Sequence, residues 1–273
     1  MSLPAQTSPS PRQGENKHWW IQLQALPYFR ALLRAVEADF YKDFELAAPV
    51  YDLGCGDGHF ASQVFRHTLD VGLDPAFVSL QEAKRWGAYG GLVQALGHRA
   101  PLAGGHFASA LSNSVLEHIP NLQEVLNETG RLVRKGGLFL FCVPNHRWPH
   151  NLSIANWLSK LGLKGLAAAY VRLFTRISRH VNMLSPEEWT ARLDEAGFDV
   201  EAWWHYFPPA ALHALEWGHY FGLPSYVARK LFGRWVLWPS RANLGLTERV
   251  FAAQANHGAD PEGTYTWYVA RRR

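Results

Sequence analysis

Cysteine is scarce in this chain: Cys55 and Cys142 are the only two in 273 residues. A disulfide framework needs several pairs, so a small stapled secreted scaffold is excluded and a reducing, cytoplasmic setting is expected. No run of 18 uninterrupted apolar residues occurs, which argues against a membrane-spanning helix. Charge of one sign has little excess: 27 Lys and Arg face 23 Asp and Glu, for a net +4, and three of the cations are the closing Arg271-Arg272-Arg273. Nucleic-acid binding wants a denser basic patch, so no nucleic-acid partner is expected. No Cys/His cluster has zinc spacing, and no metal is expected. Residues 1–17 are rich in Pro, Ser and Gln and lack both an apolar core and the features of a signal or transit peptide; they read as a disordered tail.

What is present is concentrated in Val50-Tyr-Asp-Leu-Gly-Cys-Gly-Asp-Gly-His-Phe60. A short apolar strand carries Asp52 and runs into Gly54, Gly56 and Gly58 at alternate positions. Glycines so placed let the backbone turn tightly and approach a ligand, and the helix that follows points its first amides at the same place. Dinucleotide enzymes favour Gly-x-Gly-x-x-Gly; here the third glycine comes one residue early and an acid precedes the first, which disfavours a nicotinamide oxidoreductase. Further strands are expected at 69–73, 91–96, 107–112, 138–143, 198–207 and 265–270, alternating with helices in the doubly wound pattern. Apolar spacing over 18–42, broken at Pro27, predicts N-terminal helices before the sheet.

The form Asp-x-Gly-x-Gly-x-Gly resembles motif I of the class I S-adenosylmethionine (SAM) methyltransferases, type 11-like. Val71-Gly-Leu-Asp74-Pro75, the segment from Ala108 to Pro120 and Leu132-Val-Arg-Lys-Gly-Gly-Leu-Phe-Leu-Phe-Cys-Val-Pro-Asn145 are similar to that family's second strand, fourth strand and following helix, and glycine turn with fifth strand. The resemblance spans about residues 48–146. It implies an α/β fold with a seven-stranded, mostly parallel sheet and SAM as cofactor. It also implies that Asp52 and the turn Gly54-Cys55-Gly56 through Gly58 surround the methionine part of SAM, that Asp74 holds the ribose, and that Pro75, Ala76, Gly97 and His98 lie by the adenine. Asn113 and Ser114 would face the sulfonium. The family commonly has an acid near 97–98; this chain has none.

The chain departs from a minimal member after residue 145. Residues 146–183 and 208–263 read as two helical insertions, on either side of a helix begun by Ser185-Pro186 and a sixth strand. Both should lie near the carboxyl ends of the strands and cap the substrate. Nine of the twelve tryptophans lie from residue 148 onward. Arg172, Arg176 and Arg179, and Arg229, Lys230, Arg234 and Arg241, stand among apolar residues. Two readings stay open: core aromatics beside a solvated basic face, or basic amphipathic helices on a membrane surface, which would place the chain at the inner membrane face.

Methyl transfer from an activated donor needs alignment, and a base only where the acceptor must lose a proton. His118 is the candidate base, since imidazole titrates near neutrality; His146, His150, His180 and His205 are rivals. Some relatives bind a metal through Glu-x-x-Glu-His, but Ser114 stands where the first glutamate would be. The expected function is methyl transfer to a small, apolar or lipid-linked acceptor. The alternative is a non-catalytic SAM-binding or peripheral membrane-docking module on the same fold. Oligomeric state is not legible.

Overall fold

The computed structural model describes residues 14–273. For residues 1–13 the expected tail lies outside the described residues. Asn16, placed in that tail by its composition, is buried: its side chain caps the first helix at His18 N and donates to Ala35 O and Ala255 O, each at 2.9 Å. Helices α1 (Lys17–Ala25) and α2 (Tyr28–Phe40) are separated at Pro27, whose ring and missing amide end the first and start the second. Along α2, Ala31, Leu32, Ala35 and Val36 recur at helical spacing and are all buried. Each fully buried leucine or valine there contributes about 1.5–3 kcal/mol, which fastens the helix to the sheet.

The sheet begins with β1 (Val50–Leu53), followed by α3 (His59–Val64), β2 (Leu69–Asp74), α4 (Phe77–Trp86), β3 (Tyr89–Gln94) and β4 (Phe107–Asn113). Then come α5 (Leu122–Leu132) and β5 (Val133–Pro144). Strand β5 is longer than its apolar run 138–143 suggests, and its first residues form a separate contact with β4 through a bulge between Phe107 and Ser109. The first insertion holds α6 (Ser153–Lys160) and α7 (Lys164–Ser178). It is followed by α8 (Pro186–Glu195), opened by a full capping box between Ser185 and Glu188, and by β6 (Phe198–Tyr206). The second insertion holds α9 (Pro209–Phe221), α10 (Leu223–Phe232), α11 (Arg241–Val250) and α12 (Ala252–Ala255) before β7 (Tyr265–Arg272).

The seven strands lie in the order β3-β2-β1-β4-β5-β7-β6, parallel except for β7, which pairs antiparallel with both neighbours. This is the expected mostly parallel α/β sheet. The chain runs outward from β1 through β2 to β3, then crosses to β4 on the other side of β1. The carboxyl ends of β1 and β4 are therefore the switch point at which such sheets bind ligands. The two insertions are tied to each other by the buried carboxylate of Glu216 on α9, which accepts from Ser153 N, Ser153 Oγ and Tyr170 OH at 2.6, 2.6 and 2.8 Å. Trp148 and Phe174 stack at 5.6 Å inside the first insertion, both fully buried. Many other large apolar side chains of the insertions are outside: Leu166, Leu173 and Ile177 on α7, Phe221 on α9, Leu231 and Phe232 on α10, and Trp238 beyond it are all exposed. The reading of these aromatics as core holds for part of the set only. Among the described residues, no helix is long and apolar enough to cross a membrane.

Candidate active site

At the switch point the glycine turn leaves β1 under firm constraint. Gly54 has φ +77°, and an added Cβ would stand 2.4 Å from a Val115 methyl; the amides of Gly54 and Cys55 both donate to Leu73 O. Gly56, with φ +54°, faces open space where a Cβ would meet nothing. Only glycine lets the chain pass so close to Val115 at that φ, and the open face at Gly56 leaves bare backbone for a ligand. Gly58 stands immediately before α3.

Asp52, Gly54, Cys55, Gly56 and Asn113 share the wall of one cavity of about 240 Å³. Asp52 is buried and accepts a 2.6 Å hydrogen bond from Tyr89 OH. Burial raises its carboxyl to about 7, against the opposing effects of the Tyr89 hydrogen bond and the Arg34 charge. The Cys55 thiol is pushed up by burial, as is that of Cys142, so neither is poised as a thiolate nucleophile.

Further lining of this cavity comes from a part of the chain that its own pattern did not single out. Arg30 and Arg34, from α2, line the same cavity. Arg30 lies with its guanidinium 5.4 Å from the Trp235 ring centre, and Arg34 lies 5.3 Å from that of Phe60. Burial is the largest single influence on Arg34 and works against its charge, but Glu37 at 3.5 Å, together with Cys142, Glu117 and Asp57, outweighs it and holds the guanidinium above its ordinary range. Glu37 is itself fully buried and organises the end of β4, accepting from Asn113 Nδ2 at 2.6 Å, Ser114 Oγ at 2.7 Å and Tyr206 OH at 3.1 Å. Ser114 has φ +53°, an uncommon conformation for a residue with a Cβ, and this hydrogen bond helps hold it there. The helical signal over 18–42 located α2, but nothing local marked which of its polar residues point inward.

Other expected site residues lie along the neighbouring strand ends, outside the lining of that cavity. The carboxylate of Asp74 accepts from Gly56 N at 3.0 Å and Ala76 N at 2.8 Å, bracing the glycine turn from β2. Pro75 is exposed beside it, and its carbonyl accepts from Gln94 Nε2. Gly97 packs against Leu53, and His98 shares a 3.0 Å hydrogen bond with Asn121. His118 sits in the short 3-10 turn Leu116–His118 with Nδ1 3.0 Å from Arg179 O; burial lowers its basicity. Of the rivals, His205 is buried against Thr266 and Asn145, with burial lowering it to about 4. His180 lies against His118, with ring centres 5.4 Å apart. A cavity lined by a buried carboxylate, two guanidinium groups and the side-chain-free backbone of the glycine turn suits a zwitterionic ligand that carries both an ammonium and a carboxylate.

Comparison with known proteins identifies the family and the fold. A family profile described as a methyltransferase domain matches residues 19–202. An uncharacterized methyltransferase of Mycobacterium sp. (strain JLS) is 32% identical over 114 residues, 41% of each chain. A ubiquinone biosynthesis O-methyltransferase of Mesorhizobium japonicum is 26% identical over 179 residues, 60% of this chain and 67% of that one. The match thus spans about two fifths of the first relative's length. Among solved structures, a SAM-dependent methyltransferase of Thermotoga maritima superposes with a TM-score of 0.56 at 14% identity, covering 94% of this chain and all of the other. The geranyl diphosphate C-methyltransferase of Streptomyces coelicolor, solved with Mg2+, geranyl diphosphate and S-adenosyl-L-homocysteine, gives 0.55 at 14%, covering 99% and 92%. At such identities these two likenesses concern the fold.

Proposed function

The chain belongs to the methyltransferase-domain family, with the class I SAM-dependent fold and SAM as cofactor, and from that premise we propose that it methylates a small acceptor with an apolar, lipid-like body. The observation that carries the acceptor class is a second cavity of about 360 Å³, between α1, α2 and the second insertion. Leu23, Trp235, Leu237, Trp238 and Leu244 line it, and Leu26 stands on the wall of both this cavity and the cofactor cavity. An acceptor with its apolar part among these side chains would present its polar end toward Asn113. The exposed apolar side chains of α7, α9 and α10, interspersed with Arg172, Arg176, Arg229 and Lys230, support a lipid surface as the place where such an acceptor is met.

SAM brings a methyl group on a positively charged sulfur, so the donor is activated before the protein acts. The chain's part is to hold, align and keep water out. In this reading Asp52 takes the ammonium, and its buried carboxylate regains a cation on binding. Arg30 and Arg34 take the carboxylate, and the Gly54–Gly56 turn lies against the methionine chain. Asp74 keeps acceptor capacity for ribose hydroxyls while bracing the turn. Asn113 and Ser114, held by Glu37, form the floor beneath the reacting centre.

Methyl-labelled SAM incubated with the purified protein and an extract of its native host, then partitioned between organic and aqueous phases, tests this reading against an Asp74→Ala control. Label in the organic phase is the expected result. Label confined to the aqueous phase would overturn the lipid-like acceptor and leave the methyl transfer standing. SAM binding without label in either phase would leave a non-catalytic binding module.

A further inference from the structure

We propose that Trp235, in the second insertion, is a positioning residue for the cofactor: its ring holds the Arg30 guanidinium where the cofactor's carboxylate binds, so the insertion that caps the acceptor also completes the SAM site. That role rests on the methyl-transfer reading, in which Arg30 takes the carboxylate.

Arg30 is placed against its own electrostatic interest. It stands in the first turn of α2, where the helix dipole disfavours a cation, and that turn holds no acidic residue to offset it. Desolvation lowers its basicity, as do the neighbouring Arg34 and Arg229, with Asp57 acting against them. Among the described residues its guanidinium forms neither an ion pair nor a hydrogen bond. An anion bound beside it would account for its position.

The group that orients Arg30 is an aromatic ring. Its Cζ lies over Trp235, 5.4 Å from the ring centre. The negative face of an indole attracts a guanidinium without taking any of its N–H donors. The side chain is thereby fixed while all five donors remain available to a carboxylate. A neighbouring Asp or Glu would fix it equally well, but would neutralise it and compete with the ligand.

Trp235 is in turn held from the other side of the cofactor cavity. Gly233, with φ +71°, ends α10 and turns the chain. Arg229 on α10 secures that turn: Nη1 donates to Gly233 O at 2.5 Å, while Nη2 donates to both oxygens of Glu82 on α4 at 2.7 Å. Ser79, one turn before Glu82 on α4, lines the cofactor cavity, as Arg30 does from α2. The path Glu82–Arg229–Gly233–Trp235–Arg30 thus joins the two helices that contribute these residues. Trp235 also lies beside Tyr226 of α10, with ring centres 6.4 Å apart, and stands with Leu26 on the wall of the acceptor cavity. An insertion that only covered the acceptor would need no contact with Arg30.

The test is calorimetric titration of the full-length protein with SAM and with 5′-methylthioadenosine, which lacks the amino-acid part. Trp235→Leu removes the ring face and keeps an apolar side chain. It should weaken SAM about fivefold and leave 5′-methylthioadenosine unchanged, the latter reporting an intact fold. Trp235→Phe restores a ring face and should recover most of the loss. Trp157→Leu, an exposed tryptophan on α6, should bind both ligands as the wild type does. Trp235→Leu combined with Arg30→Ala should bind SAM no more weakly than Arg30→Ala alone, because the ring acts through the guanidinium. Equal losses for both ligands in Trp235→Leu, or a loss that adds in full to that of Arg30→Ala, would overturn the proposal. So would unchanged SAM affinity in Trp235→Leu beside a weakened Arg30→Ala, which would leave Arg30 standing as the carboxylate's partner. Unchanged affinity in Arg30→Ala would instead remove the carboxylate reading itself, and the role of Trp235 with it.

Discussion

Lowering the pH of a SAM titration from about 7 to about 5 should weaken binding through one carboxylate, that of Asp52. Its burial raises the carboxyl from 3.8 to about 7, and only the ionised form offers a charge to the cofactor's ammonium. At pH 7 about half of the protein carries the charge and two pH units lower about 1% does, so affinity should be about 50-fold weaker, or about 2.3 kcal/mol. Binding near pH 6 should accordingly release about one proton. Calorimetry in buffers of differing ionisation enthalpy measures both quantities. Above about pH 7.8 the cofactor's own amino group loses its proton, so the comparison is with Asp52→Asn, which should bind weakly and show no acid slope. In the cofactor-free protein the same group acts on stability in the opposite direction. Its contribution is greatest below the unfolded value near 3.8 and is lost as the pH rises toward 7. Wild-type affinity that stays flat between about pH 5 and 7, or an equal slope in Asp52→Asn, would refute the assignment of Asp52 to the ammonium.

The two glycines of the turn should separate under the same change. Gly54→Ala drives a Cβ into Val115 at a positive φ, and should cost about 2 kcal/mol or more in urea unfolding along with SAM binding. Gly56→Ala meets open space and should cost only about 1 kcal/mol of backbone strain, while still weakening SAM where its methyl occupies the open face of the turn. Arg30→Ala should weaken SAM by roughly tenfold and leave an adenosine lacking the amino-acid part unaffected, since the guanidinium answers a carboxylate; equal losses for both ligands would argue against that role. Competition titration with the two ligands reads the difference.

Much of this protein is readable from local pattern. The strand at Val50, the alternate glycines and the acid at the end of the second strand each declare themselves within about ten residues, because strand period, helix period and turn chemistry are short-range properties; the glycines at 136 and 137, in contrast, lie inside β5, and the preceding helix already ends at Leu132. The order of the elements along the chain leads directly to the doubly wound sheet, and the capping box at Ser185 is readable in the same way. Three things depended on packing. Arg30, Arg34 and Glu37 lie on a helix whose apolar stripe was plain but whose polar residues carried no local mark of an inward role; only docking across β4 turns Glu37 inward to hold Asn113 and Ser114. Tyr89 meets Asp52 because β2 lies between their strands at a particular register. His180 comes to Glu117 and His118 only because the first insertion folds back and is latched there by Asn182. The alternating and helical periods of the chain determine which elements form and in what order, whereas the meeting of polar side chains distant in sequence is decided by long-range packing, whose cost in chain entropy leaves no mark on any local window.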